Sequence, residues 1–177
     1  YHRGMLLNCA AVVQNGKLHG LVPKTYIPNY KEFYERRWFT SSTDLHEAET
    51  IRFCGQSVLL STQQLFKHRD TTFSIEICED LWAPIPPSNR AVLEGAEIIF
   101  NLSASNDLVG KNDYVRNLVT GQSARCHCAY VYAGCGYGES TQDVVFGGKA
   151  FIAENGRLLA EAHPFSTESQ LVFTEVD

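Results

Sequence analysis

The amino-acid sequence predicts an α/β fold whose layers are built around a mixed β-sheet. Two observations support this prediction: Asn-Gly pairs near both ends of the chain, and short apolar runs that alternate with helical patterns in the middle. The chain has 177 residues. That length suits one domain, and 44% hydrophobic residues are enough for a core without metal or disulfide support.

The Asn-Gly pairs predict β-hairpins at both ends of the chain. The pair at Asn15 separates the apolar runs 5–13 and 18–22, and the pair at Asn155 separates two shorter apolar runs. Asparagine and glycine accept the positive φ angles of a type I′ turn, which joins antiparallel strands tightly. We therefore expect antiparallel strand pairs at the beginning and at the end.

Between these hairpins, the pattern predicts strands that alternate with helices. The strand segments are short apolar runs, and the helical segments carry apolar residues at helical spacing. The predicted elements are strands at 72–77, 97–102 and 129–133, helices at 89–95 and 113–124, and a polar surface loop at 41–49.

Composition and charge argue against several classes of protein. The 15 Lys and Arg residues against 20 Asp and Glu residues give a net charge of −5, which disfavours a surface that binds nucleic-acid phosphates. No run approaches the roughly 18 apolar residues of a membrane span, and the N-terminus carries no signal-peptide pattern. We expect no nucleic-acid partner, no membrane partner and a cytoplasmic location.

The cysteines indicate neither a disulfide scaffold nor a metal site. There are only six, which a cytosolic chain would keep reduced. Cys126, Cys128 and Cys135 lie close together in sequence, but the Cys-x-x-Cys spacing of common zinc sites is missing. We therefore expect no metal.

Cys78 is the candidate nucleophile. It follows the apolar run 72–77, and the carboxyl ends of strands are where open α/β sheets place their sites. A buried core cysteine is the alternative. Glu79 and Asp80 come next and disfavour a thiolate, so a working nucleophile needs a nearby cation. Strand alternation would point the Glu79 side chain away from the thiol.

Lys24 is the candidate cation, because it follows the second strand of the first hairpin. A solvated surface lysine fits the sequence equally well. If Lys24 reaches Cys78, its ammonium group would favour the thiolate and could stabilise an oxyanion. A third cluster, residues 101–106, carries small hydroxyl and amide side chains, which either bind a polar substrate or cap the following helix.

Three segments together resemble the nitrilase-type glutaminase domain of glutamine-dependent NAD⁺ synthetase. They are residues 22–39, with the pattern PNYxEFYExRWF, residues 77–82 and residues 101–105. The resemblance spans nearly the whole chain, and the first segment is specific within the carbon-nitrogen hydrolase superfamily. It implies that residues 1–177 form part of a nitrilase-type α-β-β-α sandwich with a mixed sheet.

The resemblance also implies catalytic roles. The family works through a Glu-Lys-Cys triad, in which Cys78 would attack the side-chain amide of L-glutamine and Lys24 would stabilise the oxyanion. Glu35 corresponds to an accessory glutamate that helps to hold the lysine. Tyr30 and Ser105 correspond to positions that line the glutamine pocket. Lys111 lies where relatives carry a basic residue near the glutamine α-carboxylate.

The resemblance implies partners beyond glutamine. Ammonia would pass to a synthetase domain of the same polypeptide, which uses ATP and Mg²⁺ to make NAD⁺, and the protein would form a homo-oligomer. Within residues 1–177 no cofactor is expected, because no Gly-rich phosphate loop occurs.

Residues 1–23 contain no Asp or Glu, so the family's triad glutamate has no counterpart before Lys24. We therefore expect these residues to lack an N-terminal portion of the glutaminase domain as well as the synthetase domain, and to be inactive alone. Two alternative functions remain: a stand-alone amidase or nitrilase of the same superfamily, and a catalytically inactive module with a structural or assembly role.

Overall fold

Twelve β-strands and two α-helices form in residues 1–45 and 47–177, which are the residues that the computed structural model describes. The strands are β1 (Cys9–Gln14), β2 (Lys17–Pro23), β3 (Asn29–Tyr30), β4 (Phe33–Tyr34), β5 (Glu49–Phe53), β6 (Gln56–Leu60), β7 (Phe66–His68), β8 (Thr71–Ile77), β9 (Ile98–Ser103), β10 (Ala129–Gly134), β11 (Ala150–Glu154) and β12 (Arg157–Glu161), and the helices are α1 (Pro87–Leu93) and α2 (Lys111–Cys126).

The long strands form two mixed sheets. The first has the order β1-β2-β6-β5, and the second has the order β12-β11-β10-β9-β8-β7. Strands β8, β9 and β10 are parallel, as are β2 and β6, whereas the hairpin pairs are antiparallel. The short strands β3 and β4 pair only with each other. The predicted mixed-sheet α/β class is confirmed.

Both Asn-Gly hairpins are present. Asn15 and Gly16 have φ angles of 50° and 73° between β1 and β2, and Asn155 and Gly156 have φ angles of 47° and 86° between β11 and β12. These are the left-handed conformations that a type I′ turn requires. The predicted strands and helices of the middle region are present as β8, β9, β10, α1 and α2, with ends that differ by a few residues.

The sequence analysis missed the hairpin of β5 and β6. Its turn is made by Cys54 and Gly55, with φ angles of 49° and 75°, so a cysteine occupies the position that asparagine holds in the other hairpins. Cysteine carries no turn signal, which explains the omission. The predicted loop at 41–49 contains a short 3₁₀ turn at Ser42–Asp44 and leads into β5; His46 lies outside the described residues.

Three apolar clusters define the layers. Val22 and Ala10 of the first sheet pack against Phe66 and Ile77 of the second, so the sheets lie face to face. On the other face of the six-stranded sheet, a second cluster packs it against α1 and α2. The third cluster covers the opposite face of the four-stranded sheet. The described residues thus form three of the four layers of an α-β-β-α sandwich.

Candidate active site

Cys78 lies directly after β8 and opens a short 3₁₀ turn, Cys78–Leu81. Its φ angle is 49°, a left-handed conformation that is unfavourable for a residue with a side chain and that is found disproportionately at functional sites. Strand alternation would give Cys78 the same face as Glu76, toward the helices. Instead, Cys78 is buried in the cluster between the two sheets. The strained turn therefore directs the thiol to the side on which Lys24 lies.

Lys24 follows β2 and is 1% exposed, so the solvated surface lysine is excluded. Its Nζ donates a hydrogen bond to Oε2 of Glu35 at 2.8 Å. Its backbone N–H donates to the Asn8 carbonyl at 2.8 Å, and its carbonyl accepts from the Ser42 N–H at 3.0 Å. Backbone and side chain are therefore both fixed, and Glu35 contacts Lys24 as the family resemblance implies.

The Lys24–Glu35 ion pair leads to a first testable outcome. Glu35→Gln is expected to lower the free energy of unfolding by about 1–3 kcal/mol, because a buried ammonium then keeps only a neutral acceptor. Glu94→Gln, a change at an exposed carboxylate, should stay within about 0.5 kcal/mol of wild type. Urea unfolding measures both variants. Equal midpoints for Glu35→Gln and wild type would show that Lys24 does not depend on Glu35.

Asp80 joins the segment that follows β2, residues 24–26 (the Lys24 loop), to the 3₁₀ turn Cys78–Leu81 (the Cys78 turn). Its Oδ1 accepts hydrogen bonds from the backbone N–H groups of Thr25 at 3.1 Å and Tyr26 at 2.8 Å, and its Oδ2 accepts from the Ile77 N–H at 2.9 Å. Burial raises the pKa of Asp80 to about 7, although the backbone donors favour the charged form.

Tyr30 and Glu79 form a second polar contact beside the nucleophile. The Tyr30 hydroxyl donates to the two carboxylate oxygens of Glu79, at distances of 3.0 and 2.9 Å. Burial raises the pKa of Glu79, whereas the Tyr30 bond and the charge of Lys24 oppose that increase. Glu79 lies in the 3₁₀ turn, where the strand alternation that predicted the direction of its side chain does not apply.

Lys111 is the first residue of α2 and lies in the neighbourhood of Cys78 and Glu79. Its Nζ donates to Oδ1 of Asn106 at 2.6 Å and lies over the rings of Trp82 and Phe33, at 5.1 and 5.9 Å from their centres. Asn106 donates in turn to the Glu32 carboxylate at 2.5 Å. Burial lowers the pKa of Lys111, while the negative charges of Cys78 and Glu32 oppose that change. An ammonium group is thus held near the nucleophile.

Ser105 lies half-buried in the loop that follows β9. Because β9 is parallel to its neighbour β8, this loop and Cys78 leave the same edge of the sheet. The capping alternative for residues 101–106 is wrong, since the N-cap position of α2 is Gly110, without a side-chain hydrogen bond. Asn106 instead contacts Lys111.

The structure thus brings Cys78, Lys24 and Glu35 to one edge of the sandwich, with Tyr30 and Lys111 beside them. The roles of two contributors, Asp80 and Trp82, were not predicted from the sequence. Asn106 belongs to the predicted cluster 101–106, but its hydrogen bond with Lys111 was not predicted. From the sequence, Glu79 and Asp80 were interpreted only as negative charges next to Cys78. Nothing in the local sequence shows that Asp80 accepts hydrogen bonds from backbone N–H groups more than 50 residues away.

Residues 1–45 and 47–177 contain neither a cluster of metal-binding side chains nor a membrane-spanning helix. No group of three or more His, Cys, Asp or Glu side chains in these ranges is arranged to hold a metal ion. Within the same part of the chain, no helix has the length and apolar character needed to cross a membrane.

Comparison with known proteins identifies the class of protein to which this fold and site correspond. The sequence profile of the carbon-nitrogen hydrolases matches residues 2–177, so the chain belongs to the carbon-nitrogen hydrolase family. A solved carbon-nitrogen hydrolase from Helicobacter pylori shares the fold, with a TM-score of 0.68 and 21% identity over 92% of this chain and 55% of that chain.

Within this family, the similar proteins include glutamine-dependent NAD(+) synthetases. The protein from Mycobacterium tuberculosis is 42% identical over 179 residues, which span 99% of this chain and 26% of that protein. The crystal structure of the enzyme from Cytophaga hutchinsonii matches with a TM-score of 0.83 and 28% identity, over 95% of this chain and 27% of that chain. The chain spans about a quarter of the length of the curated relatives it matches. The fold class and the family resemblance are confirmed.

Proposed function

We propose that this chain carries the nucleophile of a protein that hydrolyses the side-chain amide of L-glutamine through a thioester on Cys78, and that the ammonia serves NAD⁺ synthesis. The observation that supports this most directly is the contact between the Lys24 loop and the Cys78 turn, made by Asp80 across the two sheets. It links a buried ammonium to a strained, buried thiol. The similar proteins are named glutamine-dependent NAD(+) synthetases, which favours glutamine as the substrate.

The proposed reaction has two stages. The Cys78 sulfur, as thiolate, attacks the amide carbon, and the electron pair of the C=O double bond moves to oxygen. The Lys24 ammonium stabilises that oxyanion. The pair then returns, the C–N bond breaks, and the nitrogen takes up the proton that the general base removed from the Cys78 thiol and leaves as ammonia. Water gives a proton to the same base as it attacks the thioester carbon, the C–S bond breaks, glutamate is released, and the proton returns to the Cys78 sulfur.

Proton transfer in this scheme belongs to a carboxylate. Glu35 is engaged by Lys24 and Glu79 by Tyr30, so each already has a partner. We assign Glu35 to holding Lys24 in place. The family resemblance assigns the general base to a further glutamate, which residues 1–23 do not contain.

Recognition of glutamine rests on opposite charges at its α-carbon. Lys111 provides an ammonium group for the α-carboxylate, and the neighbouring Glu79 provides a carboxylate for the α-ammonium group. Tyr30 and Ser105 complete the polar lining of the glutamine pocket. This assignment distinguishes a glutaminase from an amidase that accepts simple amides, because only the former needs both charges.

Ammonia is proposed to leave for a synthetase region of the same polypeptide, which would use ATP and Mg²⁺ to convert deamido-NAD⁺ into NAD⁺. This part of the proposal is supported by the names of the similar proteins, of which the chain spans about a quarter.

The test uses the full-length protein that contains this sequence. L-Glutamine should be hydrolysed with a kcat/KM at least about 10-fold above that of 4-aminobutanamide, which lacks the α-carboxylate, because a charge-assisted hydrogen bond contributes roughly 1.5–3 kcal/mol. Lys111→Met should raise KM for glutamine about 10- to 100-fold with little change in kcat and remove most of that preference. Release of glutamate and of 4-aminobutanoate measures both reactions.

Lys17→Met is the control, because Lys17 is an exposed lysine at the beginning of β2. It should leave KM unchanged. Equal rates for the two amides would favour the stand-alone amidase. An absence of hydrolysis of either amide would favour a structural or assembly role.

A further inference from the structure

Lys24 and Cys78 are carried by different sheets, so their spacing is not fixed by a shared strand. In the part of the chain that the structure describes, β2 and β8 belong to separate hydrogen-bonded sheets. The apolar cluster between these sheets holds them together, but hydrophobic contact is non-directional. A directional contact is needed to set the ammonium and the thiol at one distance.

Asp80 provides such a contact. It is 2% exposed, and its two oxygens accept three backbone hydrogen bonds. Two of these come from Thr25 and Tyr26, directly after Lys24, and the third comes from Ile77, directly before Cys78. One carboxylate therefore joins the two segments that carry the reacting groups.

We propose that Asp80 is a positioning residue for amide hydrolysis, which fixes the Lys24 ammonium relative to the Cys78 thiol through its hydrogen bonds to the two backbone segments. The proposal rests on the proposed function. Asp80 contacts neither substrate nor thiol in this scheme and acts only through the backbone on either side.

The chemistry of the three bonds explains why a carboxylate is required. Both oxygens must accept, because the donors lie on both sides of the side chain. An asparagine of the same shape offers one oxygen and an NH₂ group that cannot accept, so one of the two segments would lose its bond. An apolar side chain would leave three backbone donors without this acceptor.

Burial raises the pKa of Asp80 to about 7, so the charged form is disfavoured relative to an exposed aspartate. If Asp80 only filled space between the sheets, a neutral side chain would do so without the cost of a buried charge. Asp80 instead uses both oxygens as hydrogen-bond acceptors, which favours a role that depends on those hydrogen bonds.

Glu76 offers a matched comparison. It is also a buried carboxylate of the same region, two residues before Cys78, and is 1% exposed. Its oxygens accept from the Tyr130 hydroxyl and from the Ser88 N–H at the beginning of α1, on the helix side of the sheet. Glu76 therefore shares the burial of Asp80 without its bonds to the Lys24 loop.

The experiment compares Asp80→Asn, Asp80→Glu and Glu76→Gln in the complete polypeptide, with L-glutamine as substrate and the melting temperature recorded for each variant. Asp80→Asn is expected to lower kcat about 10- to 100-fold, because displacement of a reacting group by about 1 Å can cost 100-fold in rate. KM should stay within about threefold, because the proposed contact of Lys111 with the glutamine α-carboxylate is unchanged. Asp80→Glu keeps both acceptors and should restore part of that loss. Glu76→Gln should lower the melting temperature but keep kcat within about twofold.

The outcomes separate this proposal from the proposed function. If the wild-type polypeptide does not hydrolyse glutamine, the proposed function fails. If the wild type is active and folded Asp80→Asn keeps its kcat, or loses no more than Glu76→Gln, the positioning role is overturned. Should Asp80→Asn not fold, Asp80→Glu decides, because its side chain is one methylene longer and must shift the two backbone segments relative to each other even when both oxygens still accept. A folded Asp80→Glu variant with the wild-type kcat overturns the proposal, and a reduced kcat with unchanged KM supports it.

Discussion

Cys78→Ala is expected to abolish glutamine hydrolysis in the complete polypeptide, with a loss in kcat of about 10⁴-fold or more. Alanine keeps the β-carbon, so the strained turn with its φ angle of 49° is preserved while the only proposed nucleophile is removed. Synthesis of NAD⁺ from added ammonia should be unaffected, because that reaction bypasses the amide. Glutamate release and NAD⁺ formation are measured with each nitrogen source.

Selective alkylation tests the same residue without mutation. A diazoketone analogue of glutamine should label Cys78 far faster than the other cysteines, because the proposed contacts with Lys111 and Glu79 would hold the analogue at that thiol. Burial raises the pKa of Cys9 to about 11 and of Cys135 to about 12, which makes their thiolates scarce.

The two informative competitors are Cys54 and Cys126. Cys54 is exposed, and the hydrogen bond with Cys128 lowers the pKa of Cys126. Iodoacetamide, which carries no glutamine-like groups, should label Cys54 readily and serves as the control for accessibility. Peptide mapping that finds the glutamine analogue first on Cys126, or spread evenly over all six cysteines, would remove Cys78 as the nucleophile.

Sequence patterns predicted the turns and strand ends that depend only on residues close together in the chain. The Asn15-Gly16 and Asn155-Gly156 hairpins are encoded by two residues each, and the position of Cys78 after a strand follows from one apolar run. The same local logic failed for Cys54, which adopts a left-handed turn conformation that cysteine does not signal.

Sequence patterns did not predict contacts between distant segments. Asp80 bonds to Thr25 and Tyr26 across 55 and 54 residues, and such pairing depends on how the two sheets pack. The hydrogen bond between Tyr30 and Glu79 was not predicted for a related reason, because a 3₁₀ turn replaces the strand at Cys78. The motif therefore predicted the candidate reacting residues, whereas the contacts around them required the fold.

Lys24→Ala is expected to lower kcat by about 100- to 1,000-fold or more, the range found when one oxyanion donor is removed. The fold should survive, since the Glu35 carboxylate that loses its partner is 26% exposed and can be hydrated. Glutamate release and the melting temperature are measured together, with Lys17→Ala as the control for removal of an exposed lysine.

Lys24→Arg should not restore activity. Lys24 is 1% exposed and its Nζ lies 2.8 Å from Glu35, so a longer side chain with a planar guanidinium group has no room to keep that contact and face the substrate oxygen. Near-wild-type activity of Lys24→Ala would contradict the oxyanion role. Full activity of Lys24→Arg would show that a positive charge at position 24 is sufficient, whatever the shape of the side chain.

A double-mutant cycle then separates Glu35 from Lys24. If Glu35 acts by holding Lys24, Glu35→Gln should lower kcat in the wild-type background and have almost no further effect on kcat once Lys24 is alanine. If Glu35 instead transfers the proton of Cys78, the two losses should add, because the proton would still need an acceptor when the oxyanion donor is gone. Near-complete non-additivity is the expected result, since the 2.8 Å bond to Lys24 occupies the Glu35 carboxylate.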